Sequence, residues 1–99
     1  MDLNSKQIKR LKGMAHSLSP LLTVGKEALS EGLLIEADAC LEHHQLVKAK
    51  IHCEDREEFQ GLSLALAEAT ESSLVGTIGR IAIYFRPPRK AETKIRVQV

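Results

Sequence analysis

Residues 21–53 read LLTVGKEALSEGLLIEADACLEHHQLVKAKIHC, and the succession of patterns inside this stretch decides the fold. Leu21-Leu22-Thr23-Val24 is a short apolar run that Gly25 ends, the signature of a buried strand. Ser30 stands where a helix over residues 31–43 needs its N-cap. Leu29 before that cap and Leu34 in the first turns are placed as a hydrophobic staple. Leu33, Ala37, Cys40 and His44 form the expected inward stripe, with Leu34 and Leu41 beside it, while Glu31, Asp38 and Glu42 look outward. From Leu46 the polarity alternates. Val47, Ala49, Ile51 and Cys53 share one face and Lys48, Lys50 and His52 the other, which predicts a strand with one wet face unless a helix covers it.

Outward from this strand–helix–strand unit the patterns continue. Residues 4–18 predict an amphipathic helix, with Ile8, Leu11, Met14, Ala15 and Leu18 on one side and Asn4 or Ser5 as its cap. Pro20 closes that segment. Asp55 with Glu58 three residues on resembles a capping box and opens a third helix over 56–71, with Phe59, Leu62, Leu66 and Ala69 on its core stripe. Residues 73–78 and 80–86 predict two strands with Gly79 near the turn. The order α-β-α-β-α-β-β gives an α+β class: a single compact domain with a mixed four-stranded sheet and packed helices. The domain is expected over 1–87, followed by a basic tail, 88–99, in which Lys94-Ile95-Arg96-Val97 alternates.

Ninety-nine residues leave little room for a second domain. Aromatic residues make up 3% and Trp is absent, so the core must be aliphatic, and only Phe59, Tyr84 and Phe85 could stack on a base. No apolar run approaches the roughly 20 residues of a membrane span, and MDLNSKQIKR lacks the apolar region of a signal peptide. A cytoplasmic protein with reduced, buried Cys40 and Cys53 is expected. The net charge of +1 hides a segregation. Residues 1–30 and 73–99 carry an excess of Lys and Arg, whereas residues 31–72 hold three basic side chains against ten acidic ones. If the two ends meet in space, one face suits phosphate and another repels it.

Catalytic and metal chemistry find little support. Cys40, His43, His44, His52 and Cys53 fit no common zinc spacing, and neither a P-loop nor a dinucleotide fingerprint is present. No metal, no cofactor and no small-molecule substrate are expected, and the chain reads as a non-enzyme. Nucleic acid is the better partner. Lys6, Lys9, Arg10, Lys12 and His16 cover one half of the first helix, Lys26 follows the first strand, and Lys48 and Lys50 share a strand face. Such clusters supply the salt-sensitive, sequence-independent part of RNA affinity.

Two glycine segments compete for a phosphate. Gly76-Thr77-Ile78-Gly79 is a formal GxxG, but it lies within or between strands, where its amides serve the sheet or a turn. Arg80 just after it could still reach a phosphate. Gly25-Lys26-Glu27-Ala28 has one glycine, yet it sits between a strand and a helix with Lys26 at its tip, the context in which amides and a helix dipole face an anion. Gly25 and Lys26 are therefore the preferred loop contacts.

KQIKRLKGMAHSLSP, VGKEALSEG, LEHHQLVKAKI and VGTIGRIAIYFRP occur in an order and spacing that resemble the YhbY-like CRM-domain family (chloroplast RNA splicing and ribosome maturation) over about residues 3–87. The resemblance implies a KH-like or initiation-factor-three C-terminal-like fold and RNA binding. For a one-domain chain it implies association with ribosomal RNA in the precursor of the large ribosomal subunit, whereas multi-domain plant relatives act in group II intron splicing. The family's GxxG falls on Gly25–Ala28, with Ala28 in place of the second glycine. Its tyrosine before Arg-Pro is Phe85 here, with Tyr84 one place earlier, and Arg86 matches. The expected RNA-binding set is Lys6, Lys9, Arg10, Lys12, His16, Gly25, Lys26, Lys48, Lys50, Arg80 and Arg86, on a monomer. The alternative is a module docking on ribosomal proteins or assembly factors without touching RNA, which the acidic run from Glu54 to Glu58 would suit.

Overall fold

The computed structural model describes residues 2–99. Asn4 starts the first helix with a complete capping box: its side chain accepts from the Gln7 amide at 2.8 Å, and the Gln7 side chain accepts from the Asn4 amide at 3.0 Å. Helix α1 spans Ser5–Ala15, and strand β1 follows at Leu22–Val24. Ser30 caps α2, Glu31–His44, by accepting from the Leu33 amide. Strand β2 runs Leu46–Ile51, and Asp55 caps α3, Arg56–Thr70. Strands β3, Ser73–Ile78, and β4, Ile81–Phe85, complete the regular elements among the described residues.

β1 lies parallel to β2, as a helical crossover through α2 permits, and β4 is antiparallel to both β2 and β3. The mixed sheet has the order β1-β2-β4-β3. One face carries α2 and α3 over Leu22, Val24, Val47, Ala49, Ile51, Ala82 and Tyr84. The other carries α1, whose Leu11 and Ala15 pack with Leu46, Val75, Ile83 and Phe85. Tyr84 is 1% exposed; its hydroxyl donates to the Ser63 carbonyl at 2.9 Å, and burial pushes the phenol's pKa up. Among the described residues no helix is long and apolar enough to cross a membrane.

Several details depart from the sequence reading. β2 does not have one wet face. Lys50 and His52 are exposed, but Lys48 is buried beneath the segment that follows α1, and its Nζ donates to the Leu18 carbonyl at 2.9 Å. A lysine stem can lie along apolar surface when its ammonium finds an acceptor. In α3, Ala69 is exposed, and Ser63 and Thr70 take inward places because their hydroxyls bond the carbonyls of Phe59 and Leu66, each at 2.7 Å. In α2, His44 is exposed and Leu41 is central to the core.

The C-terminal segment adds contacts that its sequence does not specify. Residues 87–99 form no strand, yet they are fastened to the end of α2. Gln45, fully buried and at φ +66°, accepts from the Arg96 amide at 2.6 Å and the Val97 amide at 3.2 Å, and donates to the Lys94 carbonyl at 3.1 Å. Glu42 accepts from the Arg89 amide, the Lys90 amide and the Thr93 hydroxyl. The Thr93 hydroxyl first, then the Arg89 amide, hold its carboxyl down at about 2 against an ordinary 4.5. A depressed carboxylate stabilises the folded form above its unfolded pKa and loses that contribution as pH falls through the folded value. Tail docking should therefore weaken from about pH 4.5 down to about 2. The Arg89 and Lys90 amide resonances, followed by NMR, should report a midpoint near 2; a midpoint at the ordinary carboxylate value would contradict the docking.

Candidate nucleic-acid interface

α1 presents its basic side away from the sheet. Burial of Leu11 and Ala15 fixes the helix rotation, which leaves Lys6, Lys9, Arg10, Lys12 and His16 exposed. None of the five forms an ion pair among the described residues, since the four ion pairs all belong to Arg86 and Arg89. Lys12 has a further anchor. A Cβ placed on Gly76 would lie 2.5 Å from its Cε, so the absent side chain is what lets the lysine stem cross β3. The neighbouring Leu74–Gly76 bulge turns both Val75 and Gly76 toward α1.

The two glycine segments have different structures and share one end of the sheet. Gly79 has φ +58° and forms, with Arg80, a two-residue turn between the paired Ile78 and Ile81. A positive φ at the first turn position is the II′ hairpin pattern, which favours glycine there. The Arg80 guanidinium lies over the Phe59 ring at 5.7 Å, a cation–π contact that orients the turn, and the Arg80 carbonyl accepts from the Ile51 amide. Gly25–Ala28 is a turn closed by the Ala28 amide donating to the Gly25 carbonyl at 3.0 Å. It stops short of α2, which begins at Glu31, and Ser30 already serves the Leu33 amide. Lys26 is exposed, and the recess beside it is also lined by His52, Glu54 and Glu58. The loop is thus less cationic than its sequence alone implies.

Two members of the expected set are committed elsewhere. Lys48 is held by Leu18, as described above. Arg86 is 3% exposed, and its guanidinium donates to the Asp38 carboxylate at 2.6 Å, the Thr70 carbonyl at 3.0 Å and the Asp38 carbonyl at 3.2 Å. Arg89 joins it on Asp38 and reaches Glu71 at 2.7 Å. Asp38 and Glu42 therefore do not simply look outward; they receive the C-terminal cations. Lys50, by contrast, is exposed on the α1 side of the sheet, where it pairs in register with Thr23 and Ile81. Neither Arg89 nor Gln45 stood out in the sequence, because the partners that fix them, Asp38 and Arg96, lie 51 positions away in the chain. No group of three or more His, Cys, Asp or Glu among the described residues could hold a metal. Cys40 and Cys53 are free, and burial first, then Glu36, push the Cys40 thiol's pKa up.

The CRS1 / YhbY (CRM) domain model matches residues 3–86. The chain belongs to this family. It is 39% identical over 93 residues to a protein of Haemophilus influenzae named RNA-binding protein, covering 94% of each chain. It is 35% identical over 86 residues to one of Pseudomonas aeruginosa named probable RNA-binding protein, covering 87% of this chain and 83% of that one. The solution structure of a Staphylococcus aureus protein superposes with a TM-score of 0.79 at 28% identity, covering 96% of this chain and all of the other.

Ala28, where the family resemblance leads one to expect a second glycine, adopts φ +51°. A left-handed alanine costs about 1 kcal/mol or more, and glycine's greater unfolded-state freedom offsets part of any gain. Ala28→Gly should raise stability by about 0.5–1 kcal/mol, measured by urea unfolding. A lower midpoint would show that the alanine is not strained.

Proposed function

We propose that this CRM protein binds RNA through the exposed side of α1 and the adjoining end of the sheet, and does so during assembly of the large ribosomal subunit. One observation carries the RNA reading. The acidic α2–α3 layer neutralises Arg86 and Arg89, whereas Lys6, Lys9, Arg10, Lys12 and His16 on the opposite layer form no ion pair among the described residues. The cationic excess therefore gathers on one side, as a phosphate backbone requires. Lys50, Lys26, Gly25 and Arg80 extend this surface at the sheet end. Lys48 and Arg86 are left out because their charged groups are internally bonded. The names of the relatives support an RNA partner. The ribosomal target rests on the resemblance to single-domain members of the family.

The protein acts on this reading as a cytoplasmic monomer that binds and does not catalyse. Its test is co-sedimentation with large-subunit precursors on a sucrose gradient. Co-migration should be lost after ribonuclease treatment. Co-migration that survives complete RNA removal would favour docking on ribosomal proteins instead.

A further inference from the structure

α1 covers only part of its sheet face. Along that face the register places Gly76 beside Ile83 and Ile83 beside Lys48, a row closed over by α1 and the segment after it. The next row toward the glycine turns is Thr23, Lys50, Ile81 and Ile78, each directly paired with its neighbour. This row is open: Thr23 and Lys50 are exposed, Ile81 is half-buried, and Ile78 is 56% exposed. Four strands at about 4.8 Å spacing make it roughly 14 Å long.

From this geometry we infer that the open row is a seat for single-stranded RNA, with unstacked bases laid on Ile78 and Ile81 and phosphates held by Lys12 and Lys50. The inference rests on the RNA-binding reading and adds the strandedness of the ligand and the place where its bases lie. Charge complementarity selects the occupant. Lys12 reaches the row's border because Gly76 leaves its stem room, and Lys50 stands within the row. No carboxylate shares the row, whose members are Thr, Lys, Ile and Ile. Apolar side chains between lysines match a ligand with apolar base faces and a charged backbone. A duplex keeps its base faces stacked inside and can offer only the backbone. The shortage of aromatic residues does not remove this option, since an aliphatic surface shields a base face from water as well.

Isoleucine methyl NMR with an eight-nucleotide oligoadenylate and a twelve-base-pair RNA duplex tests the seat. With the oligoadenylate, the δ1 methyl signals of Ile78 and Ile81 should move upfield by the adenine ring current, while those of exposed Ile35 and Ile95 stay in place. The duplex should not produce the upfield shifts. Ile78→Thr, a surface change compatible with a strand, should weaken oligoadenylate binding about fivefold and leave duplex binding unchanged. Oligoadenylate binding without upfield shifts at Ile78 and Ile81 would overturn the seat and leave the RNA-binding reading intact. Failure of both RNAs to bind would overturn the reading and the seat together.

Discussion

Lys9→Glu, Arg10→Glu and Lys12→Glu introduced together should lower RNA affinity by about 100-fold at moderate salt without unfolding the domain. The three side chains are exposed and belong to none of the ion pairs among the described residues, so reversal breaks no ion pair found there. The residues that fix α1, Asn4 through its cap and Leu11 and Ala15 through burial, are untouched. What changes is the field over one layer of the molecule, where three attractions for phosphate become three repulsions. An equilibrium titration with structured ribosomal RNA, paired with urea unfolding of the same variant, separates loss of binding from loss of structure. A folded variant that binds within about twofold of the parent would place the RNA elsewhere.

Arg86→Met should cost about 2–3 kcal/mol of stability and leave the RNA affinity of the folded protein unchanged. Methionine retains much of the buried aliphatic volume, so the loss isolates the guanidinium. That group joins β4 to α2 and to the end of α3, through the Asp38 side chain and carbonyl and the Thr70 carbonyl. Removing one member of a buried pair generally costs about 3–5 kcal/mol because the other charge is left without compensation. The figure is smaller here, since the Asp38 side chain is 51% exposed and Arg89 also donates to Asp38 and Thr70. Urea unfolding of Arg86→Met, Asp38→Asn and the double variant measures the coupling between the two residues. Additive losses would mean that the pair does not act as a unit. A loss of RNA affinity in the folded Arg86 variant would return this residue to the binding surface.

The contrast between these two sites explains what was legible in the sequence. The strand–helix–strand unit of residues 21–53 could be read because its signals are local. Ser30 caps its own helix, Gly25 follows its own strand, and the alternation from Leu46 belongs to one element. The same holds for Asn4 and Asp55, whose capping bonds reach only three residues. The basic side of α1 was visible for the same reason, since helical periodicity alone gathers its charges. Lys48 and Arg86 were misleading because charge on a strand reads as exposure until its partner is known. Leu18 lies 30 positions from Lys48, and Asp38 lies 48 from Arg86. The tail illustrates this further. Its sequence reads only as a basic segment with a short alternating stretch, whereas Gln45 and Glu42 fasten its backbone and Arg89 pairs with carboxylates. The open row at Thr23, Lys50, Ile81 and Ile78 emerges only once three strand pairings and the reach of α1 are combined.

The two glycine segments also change their relation. Gly76–Gly79 is not a phosphate loop in form: Gly76 makes room for Lys12 and Gly79 makes the hairpin turn. Gly25–Ala28 is a closed turn one step removed from its helix, with carboxylates at its side. Both flank the same sheet end, so they border one surface. Lys26 contributes to that surface as a single exposed cation, and the larger share of the charge comes from α1.

The salt dependence of RNA binding tests the central claim most directly. With Lys6, Lys9, Arg10, Lys12 and Lys50 each neutralising a phosphate, the logarithm of the binding constant should fall against the logarithm of salt concentration with a slope of about −3.5 to −4.5. The triple α1 reversal should flatten that slope by about two units. A slope near zero for the parent protein, or the same slope for parent and variant, would contradict an RNA interface built on the exposed charges of α1.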